Sequence, residues 1–357
     1  MSKVLVAMSG GLDSSISAVI LKDQGYDIVG MTMKLFDNNK IDFEILKKTC
    51  CSLEDSLDAG AVANSCDFPH YVTNMEKEFK EFVIDKFVDE YKQGRTPNPC
   101  TLCNKYLKFD FLWNKAKHLG CKYIATGHYA RIVEKNGIYY LAKGLDDKKD
   151  QSYFLFDIKK DILPYILFPV GELNKPEVRK IADNHGVDIA SIANKKESQD
   201  ICFIPDGDYR KFLKRFIVDN IKGDIVDIDG KVLGKHNGIH NYTIGQKKGL
   251  GLNYHEAKYV IKIDASSNKV VVGKKEDLSV GEFFAADINI FDNKYFDGKH
   301  EVQVKVRYNS KPCDAVVSIE NSDRIKTTLK SPVQGVSPGQ ALVVYDGDLL
   351  VGGGWII

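Results

Sequence analysis

Two sets of residues in this chain could do chemistry: a Ser/Gly/Asp cluster near the start and a handful of cysteines. Residues 7–15 read AMSGGLDSS. Gly10 and Gly11 permit positive φ and a close approach of backbone to a ligand. Ser9, Ser14 and Ser15 supply hydroxyls, and a helix beginning there offers unpaired N–H groups to an anion. The stretch is not a Walker A loop, since no lysine follows the glycines, and it lacks the three spaced glycines of a dinucleotide fingerprint. A bare Ser-Gly-Gly also serves as an ordinary strand-to-helix turn, so its place in the fold decides its meaning.

The second set starts in TPNPCTLCNK, residues 96–105, where two residues separate Cys100 from Cys103. Such a pair can be a metal clip, a redox pair, a nucleophile with a helper, or two small buried hydrophobes. Cys103 lies near Lys105 at an expected helix start, surroundings that lower a thiol pKa. Cys202 sits in KKESQDICFIPDGDY, after the last expected strand–helix unit, where active-site loops gather. Cys66 and Cys121, at element ends with apolar company, and Cys313, in a β run, read as core packing. Adjacent Cys50 and Cys51 cannot readily chelate together and read as fold residues.

The elements that must position these groups alternate in the first half. KVLVAM reads as a buried strand, SSISAVILKDQGY as a helix stopped by Gly25, and DIVGMTMKLF and HYVTN as strands. Phe79, Phe82, Val83, Phe87 and Tyr91 form an apolar stripe that predicts an amphipathic helix over 75–92. The segment 104–119 is expected to be helical up to Gly120, and KYIATGHYA to be one buried strand. This alternation predicts an α/β domain with a doubly wound parallel sheet, which places AMSGGLDSS at the crevice where such sheets bind ligands. Beyond about residue 210 the chain turns β-rich, with DG, SSN and NSD turns, as small barrels or sandwiches do. We expect domains over 1–205, 206–277 and 278–357.

Among 357 residues, 43% are hydrophobic and 28% charged, which indicates a globular protein with ample core. No run reaches the roughly 18 apolar residues of a membrane span, and no export signal precedes the glycines. Eight cysteines are too sparse for a disulfide scaffold, so a reducing cytoplasm is expected. A net charge of +1 draws in no polyanion globally. Residues 104–122 nonetheless carry five lysines against Asp110, and GQKKGLG (245–251) and KVRYNSK (305–311) are basic. These are solvated faces or phosphate contacts.

SGG-x-DS in the first strand–helix turn resembles the PP-loop of the N-type ATP pyrophosphatases, which cleave ATP between the α- and β-phosphates. TPNPCTLCNKYLKF, ATGHYAR, KDQSYFL, LFPVGELNKPEVRKIA, SQDICFI, HNYTIGQKKGLGL, VRY, SPGQA and GGGWI, in that order, are similar to the tRNA-specific 2-thiouridylase family nearly end to end. The resemblance implies a PP-loop domain, a small central β domain and a C-terminal β-barrel that contacts tRNA. It implies adenylation of O2 of wobble uridine 34 in a tRNA anticodon arm, then replacement of that oxygen by sulfur, with release of AMP and pyrophosphate. Ala7, Met8, Ser9, Gly10, Gly11, Leu12, Asp13 and Ser14 would contact ATP, Asp13 helping to position Mg²⁺ or the phosphates. Met33 and Gly127 would line the adenine pocket. Asn98, Pro99 and Cys100 would neighbour the target base, and Lys149, Asp150, Gln151, Arg307 and Tyr308 would contact tRNA. Cys202 would accept sulfur as a persulfide from a sulfur-carrier or cysteine desulfurase protein, and Cys103 would close a disulfide with it as sulfur leaves. His128 is read as a structural histidine.

The chain departs from the family pattern at Cys100, where the family commonly has Asp. Cys100, Cys103 and Cys202 together would suit a 4Fe–4S cluster with one open iron, so persulfide and cluster routes both stay open. Two other functions compete: thiolation of another RNA or a free nucleotide, and a non-catalytic RNA-binding protein with a relict ATP site. The first predicts loss of the tRNA-contacting segments and the second a degraded loop or missing thiols; the sequence shows neither.

Overall fold

The computed structural model describes residues 1–36, 53–185, 192, 201–204, 206–218, 221–252 and 256–357. The expectations for Cys50 and Cys51 lie outside these residues. Two compact units divide the chain: residues 1–83, 100–207 and 348–350 form the first, and 84–99, 208–347 and 351–357 the second.

In the first unit, strands β1 (Lys3–Ala7), β2 (Asp27–Lys34), β3 (His70–Asn74), β4 (Tyr123–Thr126) and β7 (Ile166–Leu167) form a parallel sheet in the order β3-β2-β1-β4-β7. Val4, Leu5 and Val6 are fully buried, as expected for a strand covered on both faces. Helix α1 (Leu12–Asp23) packs Ile16 and Val19 against Ala59, Val62 and Val178. Gly25, at φ 84°, ends it, and Tyr26 N–H closes back on the Leu21 carbonyl. From β1 the chain moves one way to β2 and β3, whereas β4 lies on the other side. The carboxyl ends of β1 and β4 therefore flank the topological switch point.

KYIATGHYA is not one strand. β4 stops at Thr126, the chain turns at Gly127, and β5 (Ala130–Lys135) leaves for an antiparallel hairpin with β6 (Ile138–Lys143). Asn136 and Gly137, at φ 54° and 76°, make its turn, as Asn-Gly favours. The stripe at 75–92 does form a helical run, but Lys80–Asp85 widens into a π-helix between Glu76–Phe79 and Lys86–Lys92. A second run does the same: Pro99–Leu102, then a π-helix over Cys103–Phe111, then Leu112–His118. Phe82 and Tyr106, one from each π segment, stack with centroids 4.9 Å apart.

In the second unit, β8 (Lys222–Val226), β9 (Val232–Asn237), β10 (Tyr259–Asp264) and β11 (Lys269–Gly273) form a sheet in the order β10-β11-β8-β9, over a core of Ile225, Val260, Val270 and Val272. β12 (Ser279–Ile290), β13 (Asp297–Lys305), β14 (Cys313–Glu320), β15 (Arg324–Gln334), β16 (Ala341–Asp346) and β17 (Leu349–Ile356) run β12-β15-β14-β13-β16-β17, and β12 pairs with β17 to close a barrel. Closure removes the exposed edges an open sheet would leave. Among the described residues no helix is long and apolar enough to cross a membrane.

Candidate active site

The loop 8–14 leaves β1 at the switch point. Met8 N–H still bonds the Met31 carbonyl at 2.9 Å, after which Gly10 turns the chain at φ 71°. Ser9 N–H donates to Ser14 Oγ (3.1 Å), and Ser14 Oγ donates to the Gly11 carbonyl (3.0 Å), so the loop is tied by its own hydroxyl. A Cβ on Gly10 would overlap the Asp55 carbonyl, which gives glycine a second reason to stand there. Gly11 caps α1 without any side-chain acceptor. The first N–H groups of α1 thus remain a site of positive potential for an anion.

Gly127 brings the end of β4 against this helix start. A Cβ there would stand 2.5 Å from Ser14 N. Two residues on, Tyr129 OH donates to Asp13 Oδ1 (2.8 Å), and Lys175 Nζ pairs with the same oxygen at 2.7 Å. Lys175 is 6% exposed and is the first residue of the helix Lys175–Asn184. A capping box holds that helix start: Asn174 Oδ1 accepts from Glu177 N, and Glu177 Oε2 accepts from Asn174 N. Neither Tyr129 nor Lys175 was singled out in the sequence reading. A lysine in the first turn opposes the helix dipole, and that misfit is the signal from which it could have been found.

Met33, in β2, is buried. Beside it Thr32 Oγ1 donates to the Met8 carbonyl (2.8 Å), so the 2.8 Å contact with His70 Nε2 requires the imidazole to donate. Burial lowers the His70 pKa, in keeping with a neutral ring. His128 is also buried. Lys108 Nζ faces its Nε2 at 3.4 Å and can only donate, so Nδ1–H donates to Thr126 Oγ1 at 2.7 Å. Burial first, and Lys108 second, hold its pKa well below the usual range, the behaviour of a structural histidine.

Cys100, Cys103 and Cys202 all lie in the first unit, half-buried and without a disulfide. Cys103 opens the π segment rather than a helix terminus, because Pro99–Leu102 precedes it. Lys105, expected to activate it, pairs its ammonium with buried Asp157 at 2.9 Å, a partner from a distant part of the chain. Cys202 stands in the turn closed by Ile204 N–H on the Ile201 carbonyl, and neighbouring Phe203 packs edge-on against Phe79. Among the described residues no three His, Cys, Asp or Glu side chains are grouped to hold a metal ion. Burial raises the thiol pKa of Cys66, Cys121 and Cys313, which favours the protonated thiol.

The remaining candidate residues carry structural duties. Asp150 accepts from Gly144 N, Ser152 N and Ser152 Oγ, and Gln151 Oε1 accepts from Tyr129 N. These bonds brace the turn that presents Tyr129; Lys149 lies in the same turn. In the second unit, Asn98 and Pro99 are buried in a segment pinned by the barrel. Gln340 Nε2 donates to the Thr96 and Pro97 carbonyls, and Thr96 N–H bonds the Pro338 carbonyl. TPNP and SPGQ, remote in sequence, are thereby one structure. Arg307 lies over Gly335 and donates to Ser337 Oγ (3.0 Å), and Lys305 Nζ stands 5.5 Å from the Tyr308 ring.

Family models match the chain over its whole length: a tRNA methyl transferase HUP domain over residues 2–206, a tRNA methyl transferase PRC-barrel domain over 210–274, and an aminomethyltransferase beta-barrel domain over 280–356. A tRNA-specific 2-thiouridylase MnmA from Clostridium perfringens is 45% identical over 355 residues, 99% of this chain and 98% of that protein. The protein of the same name from Rickettsia prowazekii is 47% identical over 359 residues, 100% of this chain and 99% of its own. Among solved structures, a 4-thiouridine synthetase–RNA complex with bound ATP superposes with a TM-score of 0.34 at 15% identity, covering 61% of this chain and 51% of that one.

Proposed function

The chain belongs to the tRNA-specific 2-thiouridylase family, ATP-using enzymes that thiolate tRNA, and from that premise we propose that it converts wobble uridine 34 to 2-thiouridine through an adenylated base. The observation that carries the proposal is the uncapped start of α1 beside the Asp13–Tyr129–Lys175 group at the switch point. That arrangement suits a triphosphate. The loop Ala7–Ser14 would cradle the β,γ-phosphates with backbone N–H groups, and Met33 and Gly127 would flank the adenine. Mg²⁺ arrives on the nucleotide and takes only one or two protein carboxylates, a role open to Asp13. Lys175 would add positive charge where pyrophosphate departs.

Uracil O2 attacks the α-phosphorus, the bond to the bridging oxygen breaks, and pyrophosphate leaves. C2 is now electrophilic. The terminal sulfur of a Cys202 persulfide, loaded by a sulfur-donor protein, adds to C2, and AMP leaves with the former O2. Cys103 thiolate then attacks Cys202 Sγ, which breaks the S–S bond and frees the 2-thiocarbonyl. The two thiols end as a disulfide, and a dithiol reductant must restore them for another turnover. No step is routed through an iron–sulfur cluster. Asn98, Pro99 and Cys100 would border the base, with Lys149, Asp150, Gln151, Arg307 and Tyr308 meeting the tRNA. Given the bonds of Asp150 and Arg307, we propose that these two act by shaping their loops.

Nucleoside mass spectrometry of tRNA incubated with enzyme, ATP and a sulfur donor tests the proposal. We expect 2-thiouridine at the wobble position, and none above background with Cys202→Ser. Full-rate product from that variant would remove Cys202 from the mechanism.

A further inference from the structure

The second unit holds a cavity of about 470 Å³, within the roughly 300–1,000 Å³ of ligand-holding pockets, and the end of the basic run 245–251 lies on it. It opens between the helix Tyr209–Leu213, strand β9 and the glycine-rich loop 249–251. Arg210, Lys214 and Lys235 line it, and no acidic side chain does among the described residues. Arg210 and Lys214 are four apart, so both fall on one helical face. Arg210 is held in place: its Nε donates to the Asn241 carbonyl at 2.8 Å, and its guanidinium lies 5.3 Å from the Tyr209 ring. Lys235 is paired with Asp224, outside the lining, and so contributes less charge than the other two. His236 also lines it, and burial lowers the pKa of both His236 and nearby His240, which add no charge at neutral pH. Gly249 and Gly251, at φ 74° and 66°, leave the rim without side chains, so a bulky backbone can come close.

Two positive charges, a third paired with Asp224, a glycine rim and, among the described lining residues, no carboxylate describe a receptor for phosphate. We propose that this cavity seats the sugar–phosphate backbone of the tRNA, so that the β8–β11 domain grips substrate through charge and shape rather than by reading bases. The proposal rests on tRNA being the substrate. A free nucleotide or inorganic phosphate offers the same chemistry, but a backbone phosphodiester matches an open, multi-cation rim better than a closed one-anion pocket.

Fluorescence anisotropy with labelled tRNA transcript, repeated across salt concentrations, tests this with the full chain. Lys214→Gln and Arg210→Gln should each weaken binding, and each should flatten the slope of log K against log salt by about 0.9, one phosphate contact. Exposed Lys262→Gln, on β10 and outside the cavity, should leave the slope alone. Lys214 is exposed, so its variant tests the idea even where Arg210→Gln disturbs folding. Wild-type slope and affinity in Lys214→Gln would overturn the proposal. So would a variant that binds tRNA as before but whose thermal midpoint inorganic phosphate no longer raises as it does in the wild type, since the cavity would then serve a small anion. Failure of the wild type itself to bind and thiolate tRNA would instead overturn the parent reading, and this one with it.

Discussion

Asp13 receives two donors on one oxygen, and one of them is a lysine almost wholly withdrawn from water. Removing the ammonium leaves a carboxylate short of its partner, which costs about 1–3 kcal/mol of folding free energy. On the proposed mechanism it also strips charge from the departing pyrophosphate. Lys175→Met should therefore slow tRNA-dependent pyrophosphate release by about 10²-fold, the scale of one lost electrostatic donor, while Lys175→Arg retains more activity. His128 makes a separate prediction. Its folded pKa is depressed below the unfolded value of about 6.5, so the unfolded chain binds more protons below that pH. Stability from its burial is fully present above about pH 6.5 and is lost as pH falls below it. Urea midpoints should fall from pH 7 to pH 5.5, and less steeply in His128→Gln. The turn at Gly10 between β1 and α1 was legible in the sequence, because paired glycines after a buried apolar run mark a strand-to-helix junction. The ion pair of Lys105 with Asp157 was not legible, since its partner lies 52 residues away and nothing local announces the pair.

At the scale of elements, the site depends on β1 and β4 ending side by side and on a turn with no side chain between β4 and α1. Gly127→Ala would push a methyl group into Ser14 N. We expect at least a tenfold loss in pyrophosphate release with tRNA affinity unchanged; equal loss of both would mean that the substitution damages the fold instead. The alternation of strands and helices was readable from periodicity. The break inside KYIATGHYA was not, because the segment holds all of β4 but only the first residue of β5, and the turn between them is marked by a single glycine, Gly127. The π turns were equally hidden: Phe79, Phe82, Val83, Phe87 and Tyr91 satisfy a helical stripe with or without the inserted residue. The stack of Phe82 on Tyr106 joins the two π segments through a contact that no local pattern records.

Across the whole molecule, family models cover a HUP domain, a PRC-barrel and a β-barrel in order, and the C-terminal barrel closes on itself through β12 and β17. The β-rich half was legible as such from its turns, which left barrel and sandwich open; the resemblance implied a C-terminal barrel, and the β12–β17 pairing bears it out. TPNP is bonded to Gln340 and Pro338, more than 200 residues along the chain. On the proposed mechanism the chain uses ATP to activate O2 of uridine 34, and that step can be followed atom by atom. With tRNA carrying ¹⁸O at O2 of uridine 34, mass spectrometry of the AMP formed during thiolation should show one ¹⁸O per 2-thiouridine made. Unlabelled AMP accompanying labelled-oxygen loss from the base would contradict adenylation of O2.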